Sequence, residues 1–558
     1  MKQDSNRNPT NEQRHQLLKT SLERAGRPED YENILRLLSP PPDILNYRRP
    51  GDMKDVRIGI IGGGLAGLCA AFELRKLGAD ITIFEAQSDR IGGRVYTHYF
   101  DAARRYFGEF GAVRIPVSHE TTWHYLNLFD LHTESMAAPA GNNFIYAHGT
   151  RIRRDMSGRS ITNSLYPLYP LTEAERRTPW NELSDYALDT MLLSLSPETR
   201  TEILEILPAY SRDYADITRL SSRQVFELLG LSQGFISLLS AVEPLTGALM
   251  NASHDEAMGS AYSMDFVNVY RVDGGMINLP LAFYHSFTHA NPPECELPPE
   301  VLGRVAIRVG YAVTGISLAP NGQQVVLRYC GPDCQEEKAP FDYVVCAIPF
   351  STLREVSIEP FFSSQKMQAI RELDYSDALK SLILCNPRFW EQDAPYGRMN
   401  GGISFTDLPI QSILYPPDHI RCSEKEYCGP NTPGVITGAY NIGQDSVRLG
   451  NQNVIRRFEN IRQNIAEVHG ISPEFLDTFI IDHKTVEWNA QHWARGAFSA
   501  SGPGQKVNFA YAMQQPEYGN RVVFAGEHVS VKQGWIQGAL HSAMFAVNQL
   551  VMRHERHG

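Results

Sequence analysis

The period of the hydrophobic pattern changes several times along the chain, most sharply between residues 56 and 85. Val56, Ile58, Ile60 and Ile61 form an apolar run that stops at Gly62, Gly64 and Gly67. From Leu65 the apolar positions take helical spacing, through Leu68, Phe72, Leu74 and Leu77. A second apolar run, Ile81, Ile83 and Phe84, ends at Glu85. Strand, glycine turn, helix, strand and acidic residue in that order make a dinucleotide-binding fingerprint. Glycines let backbone approach a pyrophosphate, and the helix N-terminus offers free N–H groups and the positive end of its dipole. Glu85 can accept hydrogen bonds from ribose hydroxyls.

Elsewhere the pattern is helical before it is extended. Residues 11–38 carry helical spacing (Leu17, Leu18, Leu22, Ile34, Leu35, Leu37, Leu38), which predicts a helix ended by Ser39-Pro40-Pro41-Pro42. Residues 118–265 read as helix-rich. Ser196-Pro197-Glu198 is a helix start, predicted to run through Ile203, Leu204, Ile206 and Leu207. Residues 223–250 repeat the spacing with Val225, Leu228, Leu229, Leu231, Ile236, Leu238 and Leu239. Strands are then predicted over 305–316 and 325–329, flanking the hairpin signal Asn321-Gly322, and over 342–349, 381–385, 434–437 and 522–527. The polar stretch 421–434 reads as a loop. Gly534-Trp535-Ile536 opens a last helix that buries Leu540, Ala543, Val547 and Leu550. The chain therefore leaves and re-enters one nucleotide fold. Residues 1–50 form an N-terminal helical arm. Residues 51–117, 266–350 and 491–558 form the nucleotide-binding domain, 118–265 a helical insertion and 351–490 a β-rich substrate domain.

A length of 558 residues exceeds what a single core sustains, so several domains are expected. The net charge is −11, with 63 acids against 52 Lys and Arg and no basic block, which argues against a nucleic-acid partner. Of the eight cysteines, Cys69, Cys346 and Cys385 fall in apolar segments as small hydrophobes. The pairs Cys330/Cys334 and Cys422/Cys428 have no histidines at zinc-like spacing. No metal site and no disulfide are expected, as in a reducing compartment. The polar N-terminus lacks a signal-peptide core, and no stretch approaches the ~18 apolar residues of a membrane span. The expectation is a cytoplasmic protein without membrane attachment.

Two further segments carry chemistry. Arg90-Ile91-Gly92-Gly93-Arg94 places two arginines around a flexible Gly-Gly, an anion clamp serving the other end of the nucleotide held by Glu85. Arg114 sits in the apolar, glycine-containing segment 108–116. A buried arginine is costly unless paired, so Arg114 needs an anionic partner, either a protein carboxylate or a substrate carboxylate.

Five segments together resemble the flavin-containing amine oxidase superfamily: the fingerprint with Glu85, residues 90–94, 272–280 with Gly274-Gly275, 493–498, and 524–539. The resemblance implies an α/β fold with a Rossmann-like FAD-binding domain, a discontinuous β-rich substrate domain and an inserted helical domain. It is closest to L-amino acid oxidases, because the segment 111–116 resembles the one whose arginine, here Arg114, binds a substrate α-carboxylate. The resemblance further implies that Tyr415, after Thr406-Asp407-Leu408-Pro409, is a second carboxylate ligand. It makes Lys380 the lysine that holds a water beside the flavin and assists its reaction with oxygen. The Gly534 carbonyl would take the substrate amine, with Trp535 beside it. FAD contacts are implied for Gly62, Gly64, Leu65, Ala66, Gly67, Glu85, Ala86, Arg90, Gly93, Arg94, Ala112, Val113, Arg114, Val313, Trp493, Gly526, Glu527, Gly534, Trp535 and Ile536. Trp488 and Trp493 are expected near the cavity. No cysteine matches the family's covalent flavin attachment, so FAD is expected to bind noncovalently, and no histidine stands out as a base. The implied reaction converts an L-amino acid, molecular oxygen and water to a 2-oxo acid, ammonia and hydrogen peroxide, with water hydrolysing the imino acid, in a homo-oligomer, commonly a dimer. An amide-forming L-amino acid 2-monooxygenase, a dehydrogenase using another acceptor and a non-catalytic FAD-binding protein are the alternatives.

Overall fold

The computed structural model describes residues 8–136, 142–420 and 429–554. Its first layer is a five-stranded parallel sheet ordered Val305–Val309, Asp80–Glu85, Arg57–Ile61, Tyr343–Cys346, Val522–Phe524. These strands are near-continuous apolar runs because both faces are covered. Helices Leu65–Arg75 and Ile536–Met552 pack together on one face, and both bury residues all round. A four-stranded sheet (Glu336–Phe341, Val325–Cys330, Ala312–Leu318, Ser357–Glu359) and helix Ser364–Glu372 cover the other. The strand order reverses on either side of Arg57–Ile61, and the crevice beyond the carboxyl ends at such a point is where α/β sheets bind ligands.

The second layer is a seven-stranded sheet ordered Ile480–Glu487, Ala378–Cys385, Gly434–Ile442, Ser412–Tyr415, Gly402–Thr406, Phe144–Ala147, Thr150–Arg153. One face packs on helix Val454–His469 through Leu379, Ile383, Ile413, Tyr415, Ile436 and Ala439. The opposite face carries Ala378, Leu382, Leu384, Val435 and Ile442 and looks toward Phe110 and Trp488.

Several sequence expectations change in detail. The arm is two helices, Asn11–Arg24 and Tyr31–Leu38, because Gly26 turns left-handed (φ 69°) and Pro28 starts a new turn. The helix at Pro197 lasts to Arg200 and tightens to a 3-10 turn through Leu204, since Pro208 pushes Leu207 out of the helical region. The run 223–250 divides into Ser222–Leu228, Gln233–Val242 and Pro244–Ala248, with Gly230 (φ 79°) at the first break. Residues 305–316 are two strands in different sheets, parted by Gly310 (φ 81°), while the Asn321-Gly322 hairpin forms with Leu318 opposite Val325. Within the span read as helical, the hairpin Phe144–Ala147 and Thr150–Arg153 extends the seven-stranded sheet. Cys422, Cys428 and most of the loop predicted over 421–434 lie outside the described residues.

Candidate active site

A cavity of about 1130 Å3 runs from the glycine turn to the second sheet and the helical insertion. Its first end is built by the parallel sheet. Gly62 ends the first strand at φ 102°, and an added Cβ would meet Ile348 Cγ2 at 2.9 Å. Gly62, Gly64, Leu65 and Ala66 line the cavity, and the N–H groups of a helix's first turn have no carbonyl behind them. Gly67 is the exception among the fingerprint residues. Its Cβ position lies 2.0 Å from the Gly62 carbonyl oxygen, so it serves close packing of helix on turn and does not face the cavity. Glu85 accepts from the N–H groups of Gly63 (2.8 Å) and Gln87 (2.7 Å), and burial raises its carboxyl pKa. Ala86 and Val313 line the wall nearby.

The two arginines of the expected clamp differ. Arg90 donates to the Gly93 carbonyl at 2.6 Å and lies 4.6 Å from the Tyr96 ring centroid, with its charge unpaired by a carboxylate. Arg94 instead pairs with Glu527 at 2.7 Å, so its charge is held within the protein. Glu527 also accepts from the Ser499 hydroxyl (2.7 Å) and the Gly534 N–H (2.8 Å), tying the last-helix loop to the clamp. Gly93, Ala112, Val113, Gly526, Gly534 and Ile536 line the same stretch.

The other end is built by the second sheet. Lys380 and Tyr440 are directly opposite on neighbouring antiparallel strands, and the Lys380 Nζ lies 4.7 Å from the Tyr440 ring centroid. Nζ donates to the Gly111 (2.7 Å) and Glu109 (3.3 Å) carbonyls. Burial, reinforced by the Arg114 cation, brings the Lys380 pKa down to about 7. Arg114 lines the cavity with its guanidinium 5.9 Å from the Phe266 ring, and Phe266 packs 5.6 Å from Trp535. Among the described residues Arg114 has no ion pair and no side-chain hydrogen bond, and burial lowers its pKa. Trp535 precedes the last helix, edge-on to His119 at 5.0 Å. Trp488 is a core residue donating to the Phe110 carbonyl (2.9 Å), whereas Trp493 is 43% exposed at the cavity mouth.

Tyr415 departs from its expected place. It touches the cavity wall, but its hydroxyl turns to the far face of the sheet, 2.9 Å from the Ser404 hydroxyl and 3.0 Å from His469 Nε2. Tyr440 occupies the cavity face instead, with burial raising its pKa and the Arg114 charge opposing. Phe266, Glu243, Glu256 and Asp189, none singled out from sequence, also line the cavity. Tyr440 lies three residues past the predicted strand 434–437, and extending that strand would have reached it.

The chain matches the model of flavin containing amine oxidoreductases over residues 65–551. It belongs to that family. FAD is its cofactor, and the orphan N–H groups, Glu85 and the glycine-floored crevice fit a ribose and pyrophosphate. YobN of Bacillus subtilis, to which an L-amino-acid oxidase activity is ascribed, is 28% identical over 88% of this chain and 94% of its own. The L-amino-acid oxidase of Vipera ammodytes ammodytes is 24% identical over 95% of this chain and 98% of its own. Among solved structures, putrescine oxidase bound to putrescine aligns with a TM-score of 0.64 at 18% identity, covering 89% of this chain and 97% of that one. Cyclohexylamine oxidase from Brevibacterium oxydans aligns with a TM-score of 0.63 at 16% identity, covering 89% and 98%. Among the described residues, no helix is long and apolar enough to cross a membrane.

Proposed function

We propose that this amine oxidoreductase oxidises L-α-amino acids to 2-oxo acids, releasing ammonia and hydrogen peroxide. The observation that carries the reading is Arg114, a guanidinium in the cavity wall with no protein anion beside it among the described residues. An isolated buried cation is costly, and a planar guanidinium pairs bidentately with a carboxylate. Amines such as putrescine and cyclohexylamine have no carboxylate to offer. The L-amino-acid oxidase names of the relatives point the same way.

In this reading Arg114 and the Tyr440 hydroxyl hold the α-carboxylate. Phe266 and Trp535 wall the site, and the Gly534 carbonyl accepts from the amine. Glu85 holds the ribose, while the turn at Gly62, Gly64, Leu65 and Ala66 takes the pyrophosphate. When bound, FAD supplies the acceptor for the Cα hydrogen and passes the electrons to oxygen. The protein's contribution is orientation, since two fixed contacts on the carboxylate and one on the amine leave one direction for the Cα–H bond. Lys380, poised near neutral pH, can hold or move a proton at Nζ.

A peroxide-release screen over the twenty L-amino acids, with products identified by mass spectrometry, tests the reading. A 2-oxo acid is expected. An amide with released carbon dioxide would replace it with the monooxygenase, and turnover of simple amines alone would sink it.

A further inference from the structure

Loss of the Cα hydrogen requires a neutral amine, so on the amino acid reading the site must remove a proton from the substrate ammonium. Helix His254–Tyr262 turns Glu256, Ala257, Ser260 and Ala261 toward the cavity. The small neighbours leave Glu256 the titratable group on that face. Its Oε1 accepts from the Ser501 N–H at 3.0 Å, while Oε2 has no hydrogen-bond partner among the described residues. Ser501 also donates, from N–H (3.1 Å) and hydroxyl (3.0 Å), to Gln533 Oε1. Gln533 precedes Gly534, so two hydrogen bonds through Ser501 link Glu256 to the chain neighbour of the residue proposed to receive the amine.

Behind Glu256 lies a second cavity of about 30 Å3. A cavity needs roughly 10–15 Å3 to hold one water, so this one has room for it. Glu256, Ser260, Gln533 and Trp535 line both cavities, and Asp255, Lys506, Ser530 and Lys532 are among the residues that line only the small one. Lys506 stands on the single π-turn Lys506–Ala510, a distortion frequent at functional sites. It donates to the Ile203 carbonyl (2.8 Å), lies 3.4 Å from Asp255 and contacts the Tyr214 hydroxyl. The charged groups around Glu256 are Asp255 on its own helix, Glu527 from the clamp, Lys506 from the π-turn, and Lys532, which is paired to Asp265. Burial, with Asp255 and Glu527 adding to it, pushes the Glu256 carboxyl up to about 8. A base poised near working pH is the effective one.

We propose that Glu256 is the general base that takes a proton from the substrate's α-ammonium group, with the small polar cavity as the proton's way out. In the step an N–H bond breaks, nitrogen keeps the electron pair and becomes a neutral amine, and Oε2 gains the proton. No electrons leave the system at this stage.

The test is anaerobic flavin reduction by an L-amino acid across pH, using holoenzyme. A base works when ionised, so the wild-type rate should fall as pH drops below about 8. The isosteric E256Q should keep its flavin spectrum and lose the midpoint at about 8, leaving the titrations of Lys380 at about 7 and of the amine at higher pH. Its rate should fall by about 10²–10⁴. E256D should restore part of the rate with a displaced midpoint. An E256Q profile with the wild-type midpoint overturns the assignment, even if the enzyme is slower. If no L-amino acid reduces the wild-type flavin, the substrate reading fails and this one fails with it. Reduction of wild type together with an unmoved E256Q profile removes Glu256 alone.

Discussion

The two ends of the cavity hold their arginines differently. At the cofactor end the charged side chains are answered by the protein: Glu85 by two N–H groups, Arg94 by Glu527, and Arg90 by the Gly93 carbonyl. At the substrate end Arg114 has no anion, and the Tyr440 hydroxyl has no partner among the described residues. A resident cofactor can be met by a surface whose groups hold one another in place. A transient ligand is recognised best by a charge that nothing else completes, because the desolvation cost of the empty site is recovered only when the right anion arrives.

The largest effect should come from removing that charge. Arg114→Ala should leave FAD bound and lower kcat/KM for amino acids by about 3–4 kcal/mol, roughly two to three orders of magnitude. Steady-state peroxide assays beside the flavin spectrum decide the matter. An apoprotein with otherwise normal turnover after reconstitution would erase the division between the ends. At the other end, Glu85→Ala should weaken FAD binding by about 1.5–3 kcal/mol, the range for a hydrogen bond to a charged group. The rate of FAD-saturated enzyme should stay within about twofold, since the carboxylate acts on cofactor affinity alone. Flavin fluorescence titration reads the first quantity, and a fall in saturated rate would show that Glu85 also shapes the substrate end.

The same division explains what could be read from sequence. The cofactor end was visible because its requirements are local. A strand that must stop, a glycine at φ 102° and an acid at the end of the next strand all fall within thirty residues. The substrate end is assembled from Arg114, Phe266, Lys380, Tyr440 and Trp535, on five separate segments, and only strand register brings Lys380 opposite Tyr440. Arg114 still stands out in the sequence, because a lone arginine in an apolar segment is anomalous wherever it lies. The direction of the Tyr415 hydroxyl is hidden in the sequence for a definite reason. Side chains alternate faces along a strand, and Ile413 and Tyr415 share the face that Leu414 does not. With Ser412, Ile413 and Tyr415 all buried, the pattern marks a strand and leaves its inward and outward faces undistinguished. Glu256 escaped notice because its helix is short and its role depends on two cavities meeting.

The sharpest and smallest test compares two tyrosines that differ by which face of one sheet they occupy. Tyr440→Phe removes a hydroxyl that no group among the described residues is using, so stability should hardly change. If that hydroxyl binds the carboxylate beside Arg114, kcat/KM should fall by about 1.5 kcal/mol, roughly tenfold. Tyr415→Phe should do the reverse. Its hydroxyl meets Ser404 and His469 in the core, where a lost partner costs about 1–3 kcal/mol of stability. The Tm should drop while kcat/KM at a permissive temperature stays within about twofold. Measuring both quantities for both variants gives a crossed result that neither general destabilisation nor general loss of packing produces. A Tyr415→Phe enzyme with normal Tm and a tenfold lower kcat/KM would return that tyrosine to the site and turn the strand over.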